Sequence, residues 1–341
     1  MATSSKNNNN NLVSIPEAIA AHNNQKNNSI KFIDGSWHMP VGENPRNGRA
    51  EFTSGPRIPG AFYFDIDDIA PVMGSTENPK KLPHMKPSPK LFASAMDQMG
   101  IVPSDTIYVY ATNDCGFYHR AYWTLRSCGH DPALVKLVQG SLTEWKDCGG
   151  ELEEGQLAED DERLFRMGDL GWEEKTPTYQ VVVMNDNNQD DVVVDMDQVL
   201  NIVNQKNDAA DAAVIVDARS AGRFVGTAPE PRPGLRGGHM PGALNVPFTD
   251  LLDANDKTKF KPMNEVRDIF IKAGISPISD DDGGDDAPSR KVVCSCGSGV
   301  TAAALAIGLE ECGLRNKEDI TIFDGSWIEW GSSDSTPIIS D

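Results

Sequence analysis

The sequence predicts an α/β protein of two tandem domains, each a mostly parallel sheet flanked by helices. Two observations carry that prediction. The chain repeats itself: Asp34 of "KFIDGSW" lines up with Asp217 of "AVIVDAR", Pro59 with Pro241, Gly100 with Gly274, Gly116 with Gly299 and Trp145 with Trp330, in order and at separations of 174 to 185 residues. Solenoid repeats are far shorter, so this is one domain written twice. Within each copy, short β-branched runs alternate with helical patterns, the rhythm of parallel strands covered on both faces. A chain of 341 residues is long enough to give each copy its own core.

Taken in order, residues 1–29 read as a partly disordered tail, because "MATSSKNNNNNLVS" has neither the apolar core of a signal peptide nor the Arg-rich pattern of a transit peptide. Residues 30–150 form the first domain, the acidic stretch 151–177 a solvated linker, and 178–341 the second domain. In the second, "AAVIVD" (212–217), "KVVCS" (291–295) and "DITIFD" (319–324) read as buried strands. "MNEVRDIFIKAG" and "GVTAAALAIGLEECG" read as helices, each stopped by a glycine. The run "DDDGGDDAP" (280–288) is an insertion of the second copy and reads as a solvated loop.

Composition excludes several function classes. A formal charge of −20 argues against nucleic acid or an acidic membrane as partner, since phosphate contacts need clustered Lys and Arg. No apolar stretch approaches the ~20 residues of a membrane helix. The six cysteines, at 115, 128, 148, 294, 296 and 312, are few and unpaired in pattern. That points to a reducing compartment, with the cytoplasm as the first expectation and the mitochondrion as the alternative.

The segment "VVCSCGSGVTAA" (292–303) concentrates the chemistry. Cys296 follows a strand and precedes a helix, where open α/β sheets place their ligands. Gly297 and Gly299 let successive backbone N–H groups converge on one point, and those donors together with the helix start favour negative charge there. A cysteine in that cradle is a nucleophile held as its thiolate. The other five cysteines read as core residues. Cys294 and Cys296 make a poor metal pair, for no second Cys/His pair completes a tetrahedron.

These motifs, with "DARSAGRF", "GHMPGALNVPF" and "FDGSWIEW", resemble the tandem-domain rhodanese family of sulfurtransferases over roughly residues 30–335. In that family only the C-terminal domain is active, and by the repeat Asn113 stands in the place of Cys296 while Cys115 aligns with Ser298. The resemblance implies a donor as well. Members that use thiosulfate carry Arg and Lys directly after the cysteine, whereas "CGSGVT", neutral at Gly297 and Ser298, resembles the loop of those that use 3-mercaptopyruvate.

It further implies site residues. Arg223 and Arg232 match substrate-binding positions, and a guanidinium grips a carboxylate through two parallel hydrogen bonds. Asp67 and His84 of the first domain match positions that project into the interdomain cleft and, with Ser298, relay protons. The amides of Gly297, Ser298, Gly299, Val300 and Thr301 hold a Cys296 persulfide. Lys80, Lys81, Lys86 and Lys90 form a basic patch that guides anions, Arg219 braces the domain, Arg236 faces solvent and His239 is structural. The implied partners are a small-molecule sulfur donor and an acceptor such as cyanide, a small thiol or a thioredoxin, with no metal or organic cofactor.

Two rivals remain open at this level and a third is excluded. One is a thiosulfate sulfurtransferase, and another a non-catalytic binding module that retains the loop. The third, a cysteine phosphatase of this fold, needs an Arg six positions after the cysteine, and that position is Ala302.

Overall fold

The computed structural model describes residues 11–24, 29–181, 192–205, 213–277 and 290–340. The first half contains β1 (Leu12–Ser14), α1 (Ile15–Asn23), β2 (Ile30–Asp34), α2 (Gly48–Ser54), β3 (Phe62–Tyr63), α3 (Pro89–Gln98), β4 (Thr106–Tyr110), α4 (His119–Ser127), β5 (Val135–Gln139) and α5 (Leu142–Asp147). The second contains β6 (Val193–Val194), α6 (Met196–Asn204), β7 (Val214–Asp217), α7 (Ala221–Val225), β8 (Leu244–Asn245), α8 (Met263–Lys272), β9 (Val292–Ser295), α9 (Ala302–Glu311), β10 (Ile320–Phe323) and α10 (Ser326–Trp330).

Each half builds a five-stranded sheet, in the orders β1-β5-β4-β2-β3 and β6-β10-β9-β7-β8. The two orders are the same path traced twice, and every pairing is parallel. Strand β9 is buried at all four residues, as a central strand covered by helices on both faces must be. Helices α3 and α8 end before Gly100 and Gly274, both in the left-handed region that spares a side chain the steric penalty.

The halves join through α4 and α9. Helix α9, "AAALAIGLEE", is buried from Ala302 to Leu309, and its small side chains let α4 approach closely. One hydrophobic cluster runs through both sheets, from Ile107 and Tyr122 to Leu305 and Ile322. At its edge Arg126 grips Glu310 through two hydrogen bonds of 2.7 and 2.8 Å. No helix among the described residues is long and apolar enough to cross a membrane.

Three sequence expectations need correction. Residues 12–23 are not tail: β1 pairs with β5, Leu12 opposite Leu137, and Ser14 meets the Glu17 carboxylate through its N–H at 2.8 Å and its hydroxyl at 2.7 Å. The signal lay in "SIPE", a Ser and Glu three apart flanking a proline, which is a helix start. The acidic stretch 151–177 is not a free linker either. Leu157, Phe165 and Met167 are buried, and Glu153 answers Arg57 at 2.7 Å and Arg163 at 2.6 Å, so apolar anchors and ion pairs strap it to the first half. Finally, sheet register moves the counterpart of Cys296. Asp34 pairs with Tyr110 as Asp217 pairs with Ser295, which puts Ala111, not Asn113, at the position after the strand. The first loop is two residues longer than the second, and a constant offset hides that. The insertion 280–288 lies outside the described residues.

Candidate active site

Cys296 emerges directly from β9 with 2% of its surface exposed. Its own backbone is fixed from α10: the Cys296 N–H donates to Ser326 Oγ at 3.2 Å, Trp327 N–H donates to the Cys296 carbonyl at 3.0 Å and Ile328 N–H to the Gly297 carbonyl at 3.0 Å. Ser326 holds this place with φ +48°, a left-handed conformation unusual for serine, and anchors itself by donating to Phe323 O at 2.7 Å. With those carbonyls turned toward α10, the N–H groups of residues 297–301 find no acceptor in the protein among the described residues. Residues 297–300 are buried, so their donors are orphaned in the segment that follows the cysteine rather than hydrated at a surface. Gly299 is required here, with φ +81° and Asp324 O only 3.0 Å from where a Cβ would stand.

Arginines from the β7–β8 connection line one wall. Arg219 lies buried over Trp327, its guanidinium 3.9 Å from the ring, and pairs with Asp217 at 2.6 Å and Glu230 at 2.8 Å. Glu230 also binds Arg223 at 2.5 Å, and Arg223 Nη2 packs 3.0 Å from where a Cβ on Gly297 would be. Arg232 is half-buried. Burial draws its guanidinium below the usual range, against the opposing attraction of Cys296, Asp67 and Glu230, so it lies within electrostatic reach of the sulfur.

The first half supplies the facing wall. His84 takes φ +58°, and its ring sits edge-on to Trp37 at 4.9 Å. Nδ1 lies 2.5 Å from Asp67 Oδ1, an ion-pair distance whose angle is not that of a hydrogen bond, and Nε2 lies 3.5 Å from Arg232 Nη2. Trp37 Nε1 donates to Asp67 Oδ2 at 2.8 Å. Burial opposes ionisation of Asp67, but His84, Trp37 and Arg232 together hold its carboxyl below the usual range. Asp67 thus stays a carboxylate, 55% exposed toward the cleft.

The structure therefore brings Asp67, His84 and Arg232 into one chain of contacts, with Arg223 against the cysteine loop. Ser298 is buried in that loop and makes no hydrogen bond to His84 or Asp67 among the described residues. The Val300 side chain belongs to the hydrophobic core, which leaves its amide for the loop, and Thr301 stands immediately before α9. His239 is buried and stacks on Phe224 at 3.9 Å. Arg236 does not face solvent. It clamps the carbonyls of Gly331 and Trp330, both at 3.2 Å, and of Thr336 at 3.1 Å, because the chain's end folds back over it. The basic patch is partly spent: Lys80 pairs with Glu329 at 2.6 Å and Lys90 donates to the Glu173 carbonyl.

Sequence reasoning missed Arg120. From α4 it donates to Gly299 O at 3.1 Å, to His84 O at 2.7 Å and to Asp324 Oδ1 at 2.8 Å, while Lys86 N–H takes Asp324 Oδ2 at 2.6 Å. One buried guanidinium ties the cysteine loop to the opposite wall. The repeat held a signal, since Arg120 aligns with Ala303 in an otherwise small-residue helix start. No cluster of His, Cys, Asp and Glu among the described residues is arranged to hold a metal.

A family model described as a rhodanese-like domain matches residues 195–333. The chain is 33% identical over 323 residues to the mitochondrial thiosulfate/3-mercaptopyruvate sulfurtransferase 1 of Arabidopsis thaliana, covering 94% of this chain and 76% of that protein. It is also 33% identical over 309 residues to the 3-mercaptopyruvate sulfurtransferase of Escherichia coli K12, covering 91% and 92%. Among solved structures, the Tum1 protein of Saccharomyces cerevisiae superposes with a TM-score of 0.72 at 27% identity, covering 98% of both chains.

Proposed function

The chain belongs to the tandem-domain rhodanese family of sulfurtransferases, and on that premise we propose that it moves sulfur from 3-mercaptopyruvate to a thiophilic acceptor through a persulfide on Cys296. The observation that carries this reading is the loop at 297–301, buried over 297–300, whose N–H groups have no acceptor in the protein among the described residues and which leads directly from Cys296 to α9. Buried donors left unpaired are costly, and a sulfur anion or persulfide satisfies them.

The steps follow from the walls. Arg232 and Arg223 bind the donor carboxylate and keto oxygen, with its sulfur over Cys296. The thiolate attacks that sulfur, the C–S bond breaks, and its electron pair leaves on carbon as the pyruvate enolate. The enolate is protonated at carbon, with His84 steadied by Asp67 and with Ser298 carrying the proton from the donor thiol. The outer sulfur remains on Cys296 against the loop amides until a cyanide, a small thiol or a thioredoxin thiolate takes it and expels the Cys296 thiolate. Two half-reactions through one covalent intermediate give ping-pong kinetics. The absence of a basic residue at Gly297 and Ser298 favours a donor with one carboxylate over dianionic thiosulfate.

Mass spectrometry after mixing with mercaptopyruvate is expected to show an adduct of about 32 Da on Cys296, one sulfur atom. An unmodified Cys296 under turnover conditions supports the binding module instead. A higher kcat/KM for thiosulfate than for mercaptopyruvate overturns the donor assignment.

A further inference from the structure

We propose that Glu230 sets the charge of the donor pocket, and so selects sulfur donors carrying one negative charge over donors carrying two. The proposal rests on the sulfurtransferase reading, though not on mercaptopyruvate being the donor. Glu230 lies on the "EPRPG" turn two positions before Arg232, with its side chain 2% exposed. Its Oε1 accepts from Arg219 Nη1 at 2.8 Å, and its Oε2 from Arg223 Nη2 at 2.5 Å and Nε at 3.2 Å. Arg219 is already matched on its other edge by Asp217, both side chains being 1% exposed or less. The charge of Glu230 therefore falls to Arg223. Among the described residues, Arg232 is left as the pocket's guanidinium without a carboxylate at ion-pair distance, its polar contact being His84 Nε2 at 3.5 Å.

Arg223 and Arg232, with the buried Glu230 between them and the Asp67 carboxylate beyond His84, offer at most about a single positive charge, which one anionic group balances and a dianion exceeds. The same carboxylate acts on shape. By holding Arg223 Nη2 3.0 Å from the position of a Gly297 Cβ, it fills the space that a side chain at 297 would need. Charge thus disfavours a dianion directly, volume disfavours the basic side chain at 297 that would answer one, and Glu230 is a positioning residue for both.

The test compares methanethiosulfonate with thiosulfate, which differ by a methyl group in place of one charged oxygen. Each gives its outer sulfur to the Cys296 thiolate as its S–S bond breaks, and the electron pair leaves on methanesulfinate or sulfite. The unmodified protein is expected to show kcat/KM at least about tenfold higher for methanethiosulfonate, and Glu230→Gln to raise kcat/KM for thiosulfate at least about fivefold without raising it for methanethiosulfonate. Glu230→Asp, which keeps the charge, should retain the original ranking. Equal use of the two donors by the unmodified protein overturns the proposal without any variant having to fold. So does a Glu230→Gln protein that loses both donors in equal proportion, since that marks a structural clamp alone. If neither of these donors nor mercaptopyruvate leaves sulfur on Cys296, the sulfurtransferase reading falls and takes this one with it.

Discussion

The loop after β9 and the loop after β4 began as the same segment and now do different things with their cysteines. After β9, six residues lead from Cys296 to α9 and the N–H groups of 297–301 find no acceptor among the described residues. After β4, the loop is longer and its N–H groups at 113, 114, 116 and 118 likewise find no acceptor among the described residues, but its side chains are committed: Cys115 Sγ reaches Trp37 O at 3.3 Å, and Asn113 exchanges two hydrogen bonds with Thr143 at 2.8 and 3.1 Å. Burial pushes the Cys115 thiol up to about 11, so it stays protonated at neutral pH. What separates the two loops is therefore not the number of unpaired amides but the place of the cysteine: Cys296 directly follows its strand and opens the buried run 297–300, whereas Cys115 stands four positions beyond Ala111 and spends its thiol on Trp37 O. The largest expected effect follows. Cys296→Ser should reduce sulfur transfer by about a thousandfold or more, while Cys115→Ser leaves kcat within about twofold, as measured by pyruvate release. A Cys115→Ser protein as damaged as Cys296→Ser breaks the comparison.

The second effect concerns how the first half serves the second. Arg120 and Asp324 form a pair 1% and 4% exposed across the interface, and removing one partner of such a pair costs about 3–5 kcal/mol. Arg120→Met should lower the urea midpoint accordingly. The double variant Arg120→Met/Asp324→Asn should regain much of that stability, since neither charge is then stranded. Activity should not return with it, because the Gly299 and His84 carbonyls have lost their shared donor. Full recovery of kcat/KM in the double variant would reduce Arg120 to a folding role.

A smaller effect is expected along the contact chain in the cleft. Arg232→Gln should raise KM for mercaptopyruvate about 10- to 100-fold with a lesser change in kcat, and His84→Gln should lower kcat by a similar factor with KM little moved. The split between the two constants is the measurement. Both variants acting on KM alone would remove His84 from proton transfer.

How far the sequence spoke depended on how local each feature is. Strands β7, β9 and β10 were legible because they are short, continuous apolar runs, and the cysteine loop because glycines, nucleophile and helix start share a dozen positions. Edge strands β1 and β6 were not, being three and two residues long with no room for a period. Asp67 and His84 were reachable only through family resemblance. Arg120 was not reachable that way, and its partners Asp324 and Gly299 lie 204 and 179 positions away, so its role exists only once the two halves are packed. The contact order of a residue's partners set its legibility, more than its chemical type.

The smallest effect tests the strand ends just before these loops. Asp217 and Asp34 are equivalent, at the ends of β7 and β2, and each is buried. Asp217 is met by Arg219, two positions on, whereas Asp34 has Ser36 there and accepts only its N–H, at 2.9 Å on Oδ1, with Oδ2 making no aligned hydrogen bond. Burial, in excess of the help from Ser36, therefore raises the Asp34 carboxyl to about 7. The native state then holds a proton that the unfolded chain releases near its ordinary value of 3.8. Stability from this group is full below that value and is lost as pH rises through about 7. Asp34→Asn should accordingly flatten the fall in stability between pH 5 and pH 7 and stabilise the protein by about 1 kcal/mol or more at neutral pH. Asp217→Asn should do the reverse and destabilise by several kcal/mol, because Arg219 loses its buried partner. Urea titrations of both variants across that pH range decide it, and an Asp34→Asn protein with an unchanged pH slope would mean that the first half has found another counter-charge for its aspartate.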